Sequence, residues 1–450
     1  MKRILMFMLL LSLLFSATGC KDYKDISVGG TLPTASSNTH NTTSGVEEPS
    51  DPTDPSDPTE PENGGVIPPE LPFVDELNNP TFPTQWIAIC NERMSLWDKP
   101  DGTTIAVIYR NDTMELRSWI GKYAVVKFNG MIGYVLGSYI KPADDTYFEE
   151  CFDIVEPTNK YSYEQMLQDL NAFEEKYPGR VVVDSIGKSA LGRDLSVMRI
   201  GNLDAEYHIL IQGAMHAREH MTAWLVMAMV DYWMDRDFEG NSDVCYHIIP
   251  MMNPDGVTIS QTGTLTAEQE EIYTSDRNHG YTSLGKESYA TYWKANGQGY
   301  DINRDFPAGW DRIDARKNIP SSEGSQGSTP FFTPEAAALR DYTYLYDFDT
   351  TISYHSNGCL IYWEFGDKQP VNDLSYSLGM AVNAVNGHEM RGDTDSSGAG
   401  YKDWVMDELG IPSLTIEIGA ESSPMPEREL YSIFVRNYRV IPAIVDWLQK

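Results

Sequence analysis

Four residues set the chemistry this chain can carry. His216 and Glu219 stand three apart in His216-Ala-Arg-Glu-His220, where an apolar strand, His208 to Gln212, breaks at Gly213 and an amphipathic helix begins near Glu219. An imidazole and a carboxylate so spaced at a helix start point the same way and make half of a catalytic zinc site. The pair alone is weak. With 8 His and 66 acidic residues, a carboxylate three places after a His arises by chance about once.

Two downstream positions change this. Thr350-Thr-Ile-Ser-Tyr-His355 is an apolar strand stopping on a His, and Ser413-Leu-Thr-Ile-Glu417-Ile is an apolar β run that holds a carboxylate. A charge in such a run is costly unless it is paired or used. His216, Glu219 and His355 make three ligands for one Zn2+ with a fourth position open, and Glu417 is left to take a proton from a water polarised by the metal. The same stretch also spells H-x-x-E-H, with His216 and His220 as ligands and Glu219 as base. That reading leaves His355 and Glu417 without a role.

The elements that position these residues read as α/β from about 158 to 450. Helix Tyr163 to Lys176 precedes strands Val181 to Ser185 and Leu195 to Ile200. Further strands are expected at His247 to Met252, Thr350 to Tyr354 and Ser413 to Ile418, with one terminal helix from Tyr431 to Leu448. Alternating strands and helices imply a sheet covered on both faces.

The chain ahead of this region divides in three. Lys2 and Arg3 precede an apolar run, Ile4 to Phe15, and Ala17-Thr-Gly-Cys20, the layout of a signal peptide over residues 1–20. Its end resembles a bacterial lipobox, which implies lipidation of Cys20, a membrane anchor, and an exported protein at the extracytoplasmic face of the cell envelope. Residues 21–83 are Pro-rich, acidic and without apolar periodicity, the composition of an extended tether. Residues 84–142 carry short alternating runs separated by turn signals, with a clear hairpin at Asn129-Gly130, which predicts a small all-β barrel domain. Its closing Gly133-Tyr-Val-Leu-Gly-Ser-Tyr-Ile140 resembles bacterial Src-homology-3-like domains, which often bind cell-wall peptides. A linker, 143–157, follows.

The formal charge is -32, and 12 acidic against 2 basic residues fall between Lys21 and Pro80 alone. Nucleic acid is excluded as a natural partner. Cys90, Cys151, Cys245 and Cys359 show neither zinc-knuckle nor disulfide-scaffold spacing, so their pairing stays open. Cys359 reads as a small core thiol rather than a nucleophile.

Residues 158–450 resemble the zinc carboxypeptidases of the carboxypeptidase A type. Tyr161-Ser-Tyr-Glu164, Gly187-Lys-Ser-Ala-Leu-Gly-Arg193, Asn253-Pro-Asp-Gly256, Gly299-Tyr-Asp-Ile-Asn-Arg-Asp-Phe-Pro307 and Thr333-Pro-Glu335 recur there in this order. The resemblance implies an α/β/α sandwich around a mixed, mostly eight-stranded sheet. It implies that His216, Glu219 and His355 bind zinc, that Glu417 is base and then proton donor, and that Asp301 fixes the tautomer of His216. Asn303 and Arg304 would grip a substrate carboxylate, and Arg218 would line the groove. Three departures stand out. Lys294 occupies the neighbourhood of the family's oxyanion-stabilising Arg. No Tyr falls at Thr394 to Ser397, where the family's mobile Tyr belongs. The pocket floor aligns with Tyr401 or Lys402.

Tyr292-Trp-Lys-Ala-Asn296 and Leu360-Ile-Tyr-Trp363 are similar to bacterial γ-D-glutamyl-diaminopimelate endopeptidases, which commonly join a wall-binding domain to this catalytic domain. That implies cleavage of peptidoglycan stem peptides, with Lys402 suited to the extra carboxylate of diaminopimelate. The competing readings are a metallocarboxypeptidase acting on other peptides and a non-catalytic wall-binding lipoprotein.

Overall fold

Short runs of alternating polarity build the first sheet. The computed structural model describes residues 85–144, 148, 151–236, 243–313, 316–392 and 398–450. The expected signal segment, Cys20, the tether and Thr394 to Ser397 lie outside them. Strands β1 (Gln85–Ala88), β2 (Arg93–Trp97), β3 (Thr104–Tyr109), β4 (Thr113–Ile120), β5 (Tyr123–Phe128), β6 (Met131–Leu136) and β7 (Ile140–Pro142) pair in the order β3-β2-β6-β5-β4-β1-β7. Every pairing is antiparallel. Asn129 and Gly130 both take positive φ, 48° and 80°, and close the β5–β6 hairpin with Phe128 opposite Met131. Strand β2 is not announced by the sequence pattern, because in Arg93-Met-Ser-Leu-Trp97 only Leu96 is fully buried. Trp86 and Trp119 meet edge to face at 5.6 Å in the core of this unit.

The second sheet is built from longer apolar runs. After α1 (Tyr163–Lys176) come β8 (Val181–Lys188), β9 (Asp194–Ile200), β10 (Tyr207–Gln212), α2 (Met221–Met234) and β11 (Val244–Ile249). Helices α3 (Pro254–Thr262), α4 (Ala267–His279) and α5 (Lys286–Thr291), the short pair β12 (Arg316–Lys317) and β13 (Ser325–Gln326), and α6 (Pro334–Leu345) lead to β14 (Thr350–Ser356) and β15 (Leu360–Tyr362). The chain ends through α7 (Val371–Asn386), β16 (Glu389–Arg391), α8 (Tyr401–Trp404), β17 (Ser413–Ile418), α9 (Leu430–Asn437) and α10 (Val440–Leu448). The eight-stranded order is β16-β15-β17-β14-β10-β11-β9-β8. Strands β17, β14, β10 and β11 run parallel, and antiparallel pairings with β15 and β9 flank them. This is the mixed eight-stranded α/β architecture expected.

Several elements differ from the sequence reading. Strand β11 starts and ends three residues earlier, because Pro250 has no N–H to extend the ladder. Strand β14 runs past His355 to Ser356, so that His lies inside the sheet. The terminal helix breaks around Tyr438 and Arg439 into α9 and α10. Helix α2 is not amphipathic: all its residues except Trp233 are buried, between the sheet, α9 and the 154–155 segment, whose N–H groups both bond Asp231 at 2.8 Å.

Within one compact unit, the β4–β5 turn of the first sheet closely approaches the turn between α7 and β16. Gly121 N–H donates to the Gly387 carbonyl at 2.8 Å. A Cβ on Gly387, whose φ is 65°, would lie 2.3 Å from the Trp119 carbonyl oxygen, so only glycine allows this approach. Buried Arg436 ties the joint, with its guanidinium 5.1 Å from the Trp119 ring centroid and its N–H groups on the Gly121 and Asn386 carbonyls.

Candidate active site

The site forms at the carboxyl ends of β10, β14 and β17, where an open parallel sheet leaves a crevice. Beyond β10, Gly213 passes so close to its neighbours that a Cβ would sit 2.9 Å from the Thr222 carbonyl oxygen and 3.0 Å from that of Pro250. The Thr222 hydroxyl then holds both sides of the turn, accepting from Ala214 N–H and donating to the Glu219 carbonyl, each at 2.7 Å. His216 becomes the N-cap of a single 3-10 turn, Ala217–Glu219. His355 arrives on β14 and stands in register opposite Glu417 of β17, so both side chains leave the same face.

Three donor groups converge. His216 Nδ1 lies 2.9 Å from Glu219 Oε1, His355 Nδ1 lies 3.0 Å from Glu219 Oε2, and the two Nδ1 atoms are 3.0 Å apart. Zinc bonds of roughly 2.0–2.2 Å at tetrahedral angles separate donor atoms by about 3.4 Å. The buried set therefore fits a single ion of this kind. Asp301, the N-cap of a turn over Ile302–Arg304, places Oδ1 3.2 Å from His216 Nε2 and accepts its proton, which leaves Nδ1 as the lone-pair donor. Ser356 N–H donates to Glu219 Oε2 at 3.1 Å.

Electrostatics separates the two glutamates. Burial alone would raise the Glu219 carboxyl, but the imidazoles of His216 and His355 outweigh it and hold the group well below the usual carboxylate range. Burial raises Asp301 too, and His216 and Lys294 reverse it, so this carboxyl also stays far below its ordinary value. Glu417 goes the other way: burial and the nearby Glu219 charge push it up to about 7, against the opposing pull of His355 and Lys294. A carboxyl so placed is suited to proton transfer near neutral pH.

A cavity of about 420 Å³ is lined by His216, Glu219, His355 and Glu417 and by Arg218, Lys294, Asn303, Arg304 and Lys402. Every expected site residue of the catalytic region is thus on its wall, except Asp301, which stands behind His216. Their functional groups differ in freedom. Arg218 Nη1 is held by Glu323 Oε2 at 3.0 Å and the Tyr292 carbonyl at 3.1 Å. Asn303 Oδ1 accepts from Tyr401 N–H at 3.0 Å, and Arg304 Nη1 donates to the Asn303 carbonyl at 2.8 Å. Lys294 Nζ lies 4.0 Å from Asp301 Oδ2.

The pocket-floor reading needs correction. Tyr401 is a core residue, fully buried against Phe306 and Trp404, with its hydroxyl 3.0 Å from Thr343 Oγ1. Lys402 does reach the cavity, but not as a bare cation: Nζ is 2.7 Å from Asp403 Oδ1 and 2.8 Å from the Glu364 carbonyl oxygen. Asp403, Tyr362 and Thr415 also line the cavity and were missed from sequence. Asp403 had no signal beyond adjacency to Lys402, and Tyr362 meets Thr415 only through the antiparallel β15–β17 pairing. His220 takes no part in the donor cluster among the described residues, so the H-x-x-E-H reading fails. Cys359 is fully buried behind β15, 3.0 Å from Arg436 Nη1, and burial raises its thiol, as fits a core residue. No disulfide joins any two of the four described cysteines.

Residues 166–439 match the zinc carboxypeptidase family, Peptidase_M14. The chain belongs to that family. Its fold and its peptidase class follow: a mixed eight-stranded α/β metallopeptidase. Among family members, γ-D-glutamyl-L-diamino acid endopeptidase 1 of Lysinibacillus sphaericus is 29% identical over 62% of this chain and 71% of its own length. Carboxypeptidase B of Astacus astacus is 24% identical over 65% of this chain and 98% of its own. Among solved structures, thrombin-activatable fibrinolysis inhibitor superposes with a TM-score of 0.51 at 18% identity, covering 68% of this chain and 76% of that one.

Proposed function

We propose that this zinc carboxypeptidase relative hydrolyses the amide between γ-D-Glu and the diamino acid of peptidoglycan stem peptides, with His216, Glu219 and His355 holding one zinc ion. The observation that carries the chemistry is Glu417 standing opposite His355, its carboxyl raised to about 7 beside the donor triad. A zinc ion held there supplies Lewis acidity toward water and the scissile carbonyl.

The chain's own residues do the rest. Glu417 removes a proton from the attacking water as its oxygen adds to the carbonyl carbon, then returns that proton to the departing nitrogen as the C–N bond breaks. Asp301 keeps His216 in the tautomer that presents Nδ1. Lys294, on the cavity wall, offers positive charge to the oxyanion. Arg304 and Asn303 hold a substrate carboxylate, and Arg218 lines the groove.

Substrate choice rests on the likeness to the Lysinibacillus endopeptidase and on the polar cavity that carries both Lys402 and Asp403. The alternative, trimming of ordinary peptides, is supported by the match over nearly all of the Astacus carboxypeptidase B. Incubating the zinc-loaded protein with L-Ala-γ-D-Glu-diaminopimelate, with Glu417→Gln as blank, and analysing products by mass spectrometry decides between them. Free diaminopimelate from the wild type alone supports the wall-peptidase reading. No cleavage there, together with trimming of ordinary C-terminal peptides, moves the activity to the alternative.

We also propose that Cys20 carries lipid, that the tether holds the enzyme off a membrane at the extracytoplasmic face of the cell envelope, and that the first sheet engages wall peptides. Labelled fatty acid entering the wild type and Cys20→Ala alike would refute the anchor.

A further inference from the structure

A second donor cluster lies on the same sheet, beside the amino-terminal rather than the carboxyl ends of β10 and β11. His208 of β10 is in register opposite Cys245 of β11, and His247 follows two residues on, so all three share one face. Their donor atoms lie within 4.8 Å of one another. His208 Nδ1 and His247 Nε2 are 3.0 Å apart, the same separation as the two imidazole nitrogens of the catalytic triad.

The surroundings orient this group. The Tyr342 hydroxyl sits 2.7 Å from His247 Nδ1, and by accepting that proton it leaves Nε2 as the donor facing His208. Tyr346 and Phe348 wall the imidazoles, with ring centroids 4.5 and 4.9 Å from His247. Asp349 accepts the backbone N–H of His208 at 2.8 Å, and half-buried His208 gives access from the surface. The nearest cation, Arg199, is paired in register with His247 and shares its charge with Asp184 at 3.4 Å.

We propose that His208, Cys245 and His247 form a second metal site, taking one zinc-class divalent cation through two imidazole nitrogens and a thiolate. One sulfur and two nitrogen donors suit a borderline cation of this kind and do not suit magnesium or calcium. Binding replaces the S–H bond with a metal–sulfur bond, and the thiol proton passes to solvent. The site is separate from the peptidase triad, which offers no sulfur, and ties β10 to β11 at the end remote from catalysis.

Cobalt(II) titration of the metal-free full chain tests this, because of the two donor clusters among the described residues the second alone carries a thiol and can give a near-ultraviolet thiolate-to-cobalt charge-transfer band. The expected result is two equivalents bound, with the band tracking one of them. Cys245→Ser should abolish the band, and His208→Ala, at a half-buried position, should weaken that equivalent about tenfold or more. Zinc-dependent peptidase activity should survive in both variants. One equivalent in the wild type, two without a thiolate band, or a band that persists in Cys245→Ser would each overturn the site and leave a buried His208–His247–Tyr342 hydrogen-bond chain.

Discussion

The Lys402 ammonium lies 2.7 Å from Asp403 Oδ1 on the wall of the catalytic cavity, so the pocket presents a paired charge of each sign. Diaminopimelate ends in a centre bearing both a carboxylate and an ammonium, whereas lysine ends in an ammonium alone. Lys402→Met and Asp403→Asn should each lower the kcat/KM ratio of diaminopimelate over lysine stems, by about tenfold, the scale set by a lost charged hydrogen bond. An unchanged ratio in both variants would remove this pair from substrate selection.

Glu417 and the triad are expected to separate cleanly in binding and rate. Glu417→Gln should reduce kcat by about 10²–10⁴-fold, the usual worth of a positioned acid–base group, with zinc content unchanged by elemental analysis. Asp301→Asn should instead loosen zinc by about 10–100-fold, because the neutral amide supports His216 less well. A chelator should abolish activity, and added zinc should restore it.

Lys294 sets a pH effect of definite sign. Protonated Glu417 cannot accept the water's proton, so kcat/KM falls as pH drops through the Glu417 pKa. Burial and the Glu219 charge push that pKa up to about 7 against the lowering pull of His355 and Lys294, and a divalent cation in the triad would lower it further. Lys294→Met removes one lowering charge and should move the acid limb of the profile to higher pH. A limb that stays in place would separate Lys294 from Glu417.

Arg436 joins the β4–β5 turn of the first sheet to the end of α7 through the Gly121 and Asn386 carbonyls and the face of Trp119. Arg436→Met leaves those buried acceptors unmet and should cost about 2–4 kcal/mol, read as a lower urea midpoint at constant slope. Peptidase activity at low temperature should persist, since no donor-triad residue touches Arg436.

Much of this was legible in the chain itself. The His216-x-x-Glu219 pair, the His ending one apolar run and the Glu inside another are local facts, and burying charge in apolar strands costs enough to mark them as used. Strand β10, helix α1 and the Asn129-Gly130 hairpin follow from period and turn chemistry alone, and the structure places them where the residues predict. Long-range register was not legible. That His355 faces Glu417, that Tyr362 meets Thr415, and that His208 faces Cys245 depends on which strands are neighbours, and hydrogen-bonded pairing across tens or hundreds of residues leaves no periodic trace. The state of charged groups was equally hidden: Lys402 reads as a free cation until folding sets Asp403 and the Glu364 carbonyl beside it. Residue type and spacing determined which chemistry is present; only tertiary packing decided which charges are paired and which remain to act, because desolvation and partner distance exist only in the folded chain.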